Sequence, residues 1–334
     1  MNDTKTILVI GTYDTKNAEL SFVCERIRAL GGAVISMDVS VLGDPTKPTD
    51  ISKHDVAAAA GRTIQDTINA GDENHAMQIM AVGAARLTAG LYAEGRINGM
   101  IGLGGTMGTD LVLDCCQSLP LGVPKYVVST VSFSPLIPAE RLSPDVQMIL
   151  WAGGLYGLNS ICKSSLSQAA GAVLGAARAV IPPARGRPVV GMTSLGSSCL
   201  SYMKLLRAPL EERGFEIAVF HATGMGGMAF EALARQGYFA VALDLALPEL
   251  GNLMVGSVVN AGADRFAGLR GFDRLCRLAG NPGDLCRPSL PRPQPANQVF
   301  RPQPRRAPRA HSRRCRPTRR GESAGRLPNA ARGG

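Results

Sequence analysis

A glycine-rich run in the first third of the chain is the most informative group of residues for chemistry. It follows a short apolar segment at residues 100–103 and reads Gly104-Gly105-Thr106-Met107-Gly108-Thr109; we call it the first glycine loop. Glycines after a strand let the backbone approach a ligand closely, and the free N–H groups at the start of the following helix favour phosphate or carboxylate. The run matches neither the Gly-x-Gly-x-x-Gly fingerprint nor a Walker A loop. A tight turn that only packs the strand against the helix is therefore the alternative.

A second polar turn follows the first apolar run of the chain. Residues 6–10 are continuously apolar, as in a strand buried on both faces, and Gly11-Thr12-Tyr13-Asp14-Thr15-Lys16 come next. Ligands of open α/β sheets bind at the carboxyl ends of the strands. We therefore expect Lys16 to meet a phosphate and Asp14 to meet a ribose hydroxyl or a metal ion. The alternative is an ordinary helix start in which Asp14 or Thr15 is the cap.

A third group, which we call the second glycine loop, lies in the second half of the chain at residues 221–227. It reads His221-Ala222-Thr223-Gly224-Met225-Gly226-Gly227, and Glu231 lies one helical turn further on. A histidine beside such a loop can act as an acid, a base or an anion contact. The alternative is a glycine turn whose histidine is hydrogen-bonded within the protein. The sequence alone slightly favours this alternative. Ser129 and Thr130 end another apolar run and are weaker candidates.

Several other kinds of site are excluded by the absence of their motifs. The chain has no Gly-x-Ser-x-Gly elbow and no His-Glu-x-x-His, and its four histidines do not pair at metal-ligand spacing. None of the eight cysteines forms Cys-x-x-Cys, so we expect reduced thiols. We therefore predict no metal site built by protein ligands alone.

Length and composition fit two globular domains. The chain has 334 residues, of which 45% are hydrophobic and 19% charged. Aromatic residues make up only 5%, which argues against stacking platforms for single-stranded nucleic acid. Without a long uncharged apolar run or a signal-peptide pattern, we expect a cytoplasmic protein with no membrane partner.

Strand, turn and helix patterns alternate along the chain, which predicts parallel sheets with right-handed crossovers. In the first half we expect strands at residues 6–10, 33–39, 100–103 and 126–130, and helices at residues 17–30, 73–94, 110–118 and 159–180. Residues 43–72 are more polar and read as a loop with a short helix. After a linker at residues 181–187 we expect strands at residues 188–192, 215–220 and 239–245, and helices at residues 198–213 and 228–236.

The predicted fold class is α/β, with two Rossmann-like three-layer domains and an incomplete second domain. The predicted domains are residues 1–183 and 187–264, followed by a basic segment at residues 265–334. That segment holds 17 Arg, no Lys and three acidic residues, whereas residues 1–264 carry slightly more acids than bases. Because it has no apolar periodicity, we expect it to be disordered.

Several motifs together resemble the Tm-one-like ATP-binding family, also called uncharacterised protein family 0261. The resemblance covers about residues 5–264. It rests on the two polar runs at residues 10–16 and 102–106, on Pro124-Lys125-Tyr126-Val127-Val128-Ser129-Thr130, on Gly157-Leu158-Asn159-Ser160 and on the second glycine loop. The resemblance implies two Rossmann-like domains with ATP bound in the first, and a homodimer.

The resemblance also implies where the ligand binds. It favours these residues as nucleotide contacts: Gly11, Thr12, Asp14, Lys16, Gly104, Gly105, Thr106, Gly108, Thr109, Ser129 and Thr130. It makes the second glycine loop, with Gly224, Gly226 and Gly227, a wall of an interdomain cleft. We expect Mg²⁺ to accompany the ATP. For the reaction two readings stay open: an enzyme acting on a phosphorylated or carboxylate metabolite, with His221 and Glu231 as acid–base candidates, or a non-catalytic binding or inhibitor protein.

The basic segment departs from the family. The familial pattern continues through Ala261-Gly262-Ala263-Asp264-Arg265-Phe266 and then stops. Arginine without lysine, many prolines and scattered cysteines are what a GC-rich gene gives when it is read out of frame, so we predict a frameshift near codons 266–285. The competing reading is a genuine basic tail that binds nucleic acid through its phosphates.

Overall fold

Two parallel β-sheets, one in each half of the chain, organise the protein. The computed structural model describes residues 4–183, 186–263 and 265. The two sheets belong to one compact unit. The remainder of the predicted basic segment lies outside the described residues, as do the proposed frameshift and the expected disorder. The predicted class, α/β with parallel sheets, is confirmed.

The first sheet has the strand order β2-β1-β3-β4-β5. Its elements, in chain order, are β1 (Thr6–Gly11), α1 (Asn17–Ala29), β2 (Ala33–Asp38), α2 (Lys53–Ala59), α3 (Ile64–Ile68), α4 (Glu73–Ala93), β3 (Gly99–Gly104), α5 (Thr106–Gln117), β4 (Lys125–Ser129), a 3-10 turn (Ala139–Arg141), β5 (Gln147–Leu150) and α6 (Ser160–Ala179). The chain leaves β1 toward β2 on one side and returns to β3 on the other. The order of the sheet therefore reverses between β1 and β3, where open α/β sheets bind ligands.

Helices cover both faces of this sheet. Successive side chains of a strand point to opposite faces, and in β1 every residue after Thr6 is buried. Ile7 and Val9 pack in a cluster with residues of α1 and α6. Leu8 and Ile10 pack in a second cluster with residues of α2, α4 and α5. The first half of the chain is thus a three-layer α/β/α arrangement, as predicted.

The second sheet has the order β7-β6-β8. Its elements are β6 (Val189–Ser194), α7 (Gly196–Glu212), β7 (Glu216–His221), α8 (Met225–Arg235), β8 (Val241–Leu243) and α9 (Pro248–Met254). Phe230 on α8 stacks on Phe239 with ring centroids 5.2 Å apart. Both rings contact Phe220 of β7 at 5.6 Å, so three aromatic rings join α8 to one face of the sheet.

Differences from the predicted elements occur where glycine or short length weakens the sequence signal. Helix α5 begins four residues before its predicted start, at Thr106, and α8 three residues before, at Met225, because glycine is tolerated in a first turn. Strand β5 and helix α9 were not predicted, and residues 43–72 contain two short helices instead of one. Among the described residues, none of the helices combines the length and the apolar character needed to cross a bilayer.

Candidate functional site

A cleft of about 850 Å³ lies at the carboxyl ends of β1 and β3; we call it the switch-point cleft. Residues from four segments line it: Thr12, Asp14, Thr15 and Lys16 after β1, Val41 and Leu42 after β2, Ile68 to Met77 around the start of α4, and residues 105–108 at the start of α5. The structure therefore brings the first glycine loop and the polar turn after β1 to one cavity. Six of the predicted nucleotide contacts line it: Thr12, Asp14, Lys16, Gly105, Thr106 and Gly108.

The first turn of α5 presents unpaired backbone N–H groups to this cleft. Gly105 is the N-cap and supplies no side chain, and the first turn contains no acidic residue. The first helical bond runs from the N–H of Thr109 to the carbonyl of Gly105, at 2.9 Å. The N–H groups of residues 106–108 therefore have no acceptor within the helix. Such an end attracts anions.

Two adjacent glycines of the first glycine loop have different roles. A Cβ at Gly104 would lie 2.4 Å from the backbone of Gly108 and Thr109, so glycine is needed there for close packing of β3 against α5. A Cβ at Gly105 would meet nothing nearer than the Thr130 hydroxyl at 3.9 Å. Gly104 thus fits the packing alternative, whereas Gly105 leaves space at the helix start.

The turn after β1, residues 12–16 and hereafter the β1–α1 loop, places one ammonium group beside two hydroxyls. The Lys16 Nζ donates to Oγ1 of Thr12 at 3.3 Å and to Oγ1 of Thr15 at 3.1 Å. Lys16 is also the N-cap of α1, with no side-chain cap bond. The alternative in which Asp14 or Thr15 caps this helix is therefore not found.

The uncapped starts of α1 and α5 contrast with the other helices of the first half. Helices α2, α3, α4 and α6 each have a capping side chain that accepts a backbone N–H; these are Ser52, Thr63, Asp72 and Asn159. Side-chain caps normally satisfy one of the free donors of a helix start. The two α-helices without such a cap in residues 4–183 are α1 and α5, and both begin at the switch-point cleft; α4, which Asp72 caps, begins there as well.

Five large apolar side chains, which we call the apolar wall, form part of the cleft lining. They are Val41, Leu42, Ile68, Met77 and Met107. Leu42 is 74% exposed and Ile68 is 39% exposed, so both present apolar surface to whatever enters. The cleft lining therefore combines a polar part, around Lys16 and the N–H groups of α5, with these apolar side chains.

The remaining first-half candidates are not among the residues that line the cleft, and the structure shows their contacts within the fold. The hydroxyls of Thr109 and Ser129 lie 2.6 Å apart and are buried, joining α5 to β4. The N–H of Thr130 bonds to the carbonyl of Gly104 at 3.3 Å, which fixes the end of β4 beside β3. At Gly11 a Cβ would lie 2.7 Å from the side chain of Leu20, so this glycine allows α1 to pack on β1.

The second glycine loop is filled by a side chain of the protein itself. Oε1 of Glu249, on α9, accepts the N–H groups of Gly224 and Gly227 at 2.6 and 3.2 Å. A Cβ at Gly227 would collide with this carboxylate, and one at Gly226 would collide with the carbonyl of His221. Glu249 thus caps α8 from a distant segment, as an anion would.

The two acid–base candidates are not placed together in a cleft. Glu231 is 2% exposed, and its Oε1 accepts from Nη1 of Arg265 at 3.1 Å. Arg265 also donates to Glu249 at 2.8 Å and to Asp244 at 3.0 Å. Glu231 lines a separate cleft of about 750 Å³ between the two halves of the chain, whose lining does not include the exposed His221.

Two features of the site were missed by sequence reasoning. One is the carboxylate of Asp38, which is buried at the end of β2 and accepts the N–H of Tyr13 at 3.1 Å. An acidic residue at the end of a second strand is a known signal of Rossmann-like sites, so this residue was detectable. The other is Glu249, whose contact with α8 depends on tertiary structure. In the described part of the chain, no group of three or more His, Cys, Asp or Glu side chains can hold a metal.

Comparison with known proteins identifies relatives along both halves of the chain. The model of the uncharacterised protein family (UPF0261) N-terminal domain matches residues 5–182, and that of its C-terminal domain matches residues 187–270. A UPF0261 protein of Brucella suis biovar 1 is 56% identical over 259 residues, which are 78% of this chain and 62% of that protein. A UPF0261 protein of Brucella melitensis biotype 1 is 51% identical over 300 residues, which are 89% of this chain and 71% of that protein.

More distant similarity reaches a plant protein. The "ToMV susceptible protein tm-1(GCR26)" of Solanum lycopersicum is 30% identical over 284 residues, 78% of this chain and 37% of that protein. A match to a solved chain of Acinetobacter baumannii MurG covers 82% of this chain and 95% of that chain, at 10% sequence identity. Its TM-score is 0.25, which is too low for a structural comparison. With family models matching most of its length, this chain belongs to the UPF0261 family.

Proposed function

We propose that this protein binds a nucleotide in the switch-point cleft, with ATP accompanied by Mg²⁺ as the preferred ligand. The observation that carries the proposal is the pair of uncapped helix starts, α1 and α5, that meet Lys16 at this cleft. Free N–H groups and the positive end of a helix dipole favour phosphate, and an ammonium group adds a full positive charge.

The polar and apolar parts of the cleft lining fit the two parts of a nucleotide. The polar part offers the N–H groups of residues 106–108 and the Lys16 ammonium to the phosphates. The apolar wall of Leu42, Ile68, Met77 and Met107 offers a surface for a flat base. A cavity of about 850 Å³ is within the usual range for small-molecule sites. A bare phosphate would leave the apolar wall exposed, so a nucleotide fits better than inorganic phosphate.

The carboxylates of the cleft favour a ligand whose charge is partly neutralised. Asp14, Asp72 and Glu73 line the cavity together with Lys16, so its acids outnumber its lysine. Mg²⁺ in nucleotide sites is commonly held by one or two carboxylates together with phosphate oxygens. Asp14 fits this chemistry, because its Oδ1 has no hydrogen-bond partner in the described part of the chain. The metal would supply charge neutralisation of the phosphates.

The proposal names a ligand and no reaction. Neither His221 nor Glu231 lines the switch-point cleft, so the acid–base pair has no support from its geometry. Measurement of ATP turnover, alone and with candidate acids, separates an enzyme from a non-catalytic binding protein. The homodimer, the nucleic-acid partner and the cytoplasmic location stay predictions.

Calorimetric titration of ATP–Mg²⁺ into the full chain tests the proposal, with Gly105→Asp as the main variant. The space beside Gly105 admits the new side chain. Its carboxylate would compete for the N–H groups of α5 and repel phosphate, so we expect affinity to fall by about tenfold or more. Gly105→Asn is the matched control, because it adds the same bulk without charge and should lose less. Absence of ATP binding by the folded wild type, or equal binding by Gly105→Asp, would refute the proposal.

A further inference from the structure

A buried carboxylate lies beneath the β1–α1 loop without lining the switch-point cleft. Asp38 is the last residue of β2 and is 1% exposed. Its Oδ1 accepts the N–H of Tyr13 at 3.1 Å, the N–H of Ser40 at 2.9 Å and the hydroxyl of Ser40. Strands β1 and β2 are paired so that Gly11 lies opposite Asp38. This register brings the end of β2 directly beside the loop that leaves β1.

Ser40 extends this contact to the next residue of the loop. Its Oγ accepts the N–H of Asp14 at 3.0 Å while donating to Asp38. Two successive amides of the β1–α1 loop are thus held by two residues that follow one another closely after β2. We call Asp38 and Ser40, with these bonds, the β2 bracket.

The bracket holds the backbone of the β1–α1 loop at two successive residues. The amides of Tyr13 and Asp14 are used by the bracket, and the amide of Lys16 bonds to the carbonyl of Thr12 at 3.0 Å. The Tyr13 ring is buried in the core on the other side, which anchors the loop a second time. Lys16 stands at the end of this held turn, and its ammonium group bonds to the hydroxyls of Thr12 and Thr15 in the same loop.

A buried charge at Asp38 is energetically unfavourable, which argues that this residue has a specific role. Its Oδ2 is buried and has no hydrogen-bond partner, and it forms no ion pair within residues 4–183. A buried charge without a cationic partner is costly, and a carboxylate near a phosphate site also repels the ligand. Both costs require a compensating effect, which the held loop supplies.

We propose that Asp38, acting through its bonds to Tyr13 and Ser40, is the positioning residue for the phosphate end of the switch-point cleft. It holds the β1–α1 loop so that Lys16 faces the phosphates of a bound nucleotide. This inference rests on the proposed function. It adds a residue that does not touch the ligand and assigns it control over phosphate affinity.

The first experiment compares Asp38→Asn with a control carboxylate that is hydrogen-bonded to the same strand. The control is Asp50→Asn, because Asp50 also accepts the N–H and hydroxyl of a serine, Ser36, at 2.8 and 2.7 Å, but lies outside the cleft lining. We expect Asp38→Asn to weaken ATP–Mg²⁺ binding about tenfold, because the variant loses a hydrogen bond to a charged group. Asp50→Asn should leave ATP–Mg²⁺ binding unchanged. Ser40→Ala removes the bond to Asp14 with little loss of volume and should weaken binding in the same direction.

The second experiment separates positioning from general loss of structure. In the Lys16→Ala background, Asp38→Asn should cause no further loss of ATP affinity, because the bracket acts through Lys16. Binding of inorganic tripolyphosphate should fall with ATP binding, whereas binding of adenosine, followed by ligand-detected NMR, should not change.

Three outcomes would each overturn the inference: additive losses of ATP affinity in the double variant, an equal loss of adenosine binding, or a gain in ATP affinity when the negative charge is removed. If Lys16→Ala weakens ATP binding and neither bracket variant does, the inference fails alone; if the wild type does not bind ATP, the proposed function fails with it.

Discussion

Neighbouring glycines in this protein have different roles, and the space that a side chain would find at each position shows which role the glycine has. Gly104 has backbone atoms of α5 within 2.4 Å of where a Cβ would stand, whereas Gly105 has open space to 3.9 Å. Backbone atoms cannot move aside as the end of a flexible side chain can. The same glycine run therefore contains one residue that packs the fold and one that opens the site.

This difference gives a stability prediction. Gly104→Ala should destabilise the protein by about 1–3 kcal/mol or more, since the added methyl group pushes α5 away from β3. Gly105→Ala should change the free energy of unfolding by less than about 0.5 kcal/mol, as expected where nothing is displaced. Urea denaturation of the two variants measures both values. Equal destabilisation would mean that Gly105 also packs the fold and that the space beside it does not exist in solution.

At the scale of helices, the starts of α1 and α5 differ from those of the other helices in the first half. Helix α2 begins with a reciprocal capping box in which Ser52 and Asp55 bond to each other's backbone N–H. Helices α1 and α5 have no side-chain cap and begin at the switch-point cleft. Four helices of the first half thus have capped starts, including α4 at the cleft, whereas the backbone N–H groups at the starts of α1 and α5 have no side-chain cap.

The capping box of α2 predicts a pH dependence. Hydrogen bonds from the hydroxyl and then the N–H of Ser52 lower the pKa of Asp55 below its ordinary value. A lowered folded-state pKa stabilises the protein above the unfolded pKa of about 3.9, and this contribution disappears as the pH falls through the folded value. Asp55→Asn should therefore be less stable than the wild type at pH 7, by less than about 1 kcal/mol because the pair is exposed. The difference should vanish near pH 2, as thermal melts across this range would show. A difference that does not depend on pH would contradict the assignment.

The elements nearest the site were predictable because their sequence signals are local. Continuous apolar runs gave β1 and β3, helical spacing gave α1, and the glycine-rich turns after both strands gave two sides of the cleft. Strand β5 escaped prediction because it has four residues at the edge of the sheet, and α9 because it is short and contains Gly251. The apolar wall was also missed, because Leu42, Ile68 and Met107 come from segments that only the fold brings together.

At the scale of the whole molecule, the two glycine loops show why similar local sequence does not imply a similar site. Both follow a parallel strand and begin a helix. The first opens on a cleft, whereas the N–H groups of the second are already bonded to Glu249, 22 residues beyond Gly227. Nothing in the local pattern of residues 221–227 reveals that partner. The first loop therefore presents N–H groups without a side-chain cap to a cleft, whereas the second binds α9 through Glu249.

Arg265 completes this second arrangement and carries the last prediction. Its guanidinium, 2% exposed, contacts Glu231 on α8, Asp244 after β8 and Glu249 on α9, so one cation joins three segments. Arg265→Met would leave three carboxylates without their common partner, and removing one member of a buried ion pair typically costs about 3–5 kcal/mol. We expect faster amide hydrogen exchange in β6, β7 and β8, with little change in β1 and β3. Arg207→Met is the matched control, because Arg207 pairs with Glu211 on the exposed surface of α7, where ion pairs contribute about 0–1 kcal/mol. Unchanged exchange in Arg265→Met would mean that the three carboxylates do not depend on this arginine, and the account of the second half would have to be abandoned.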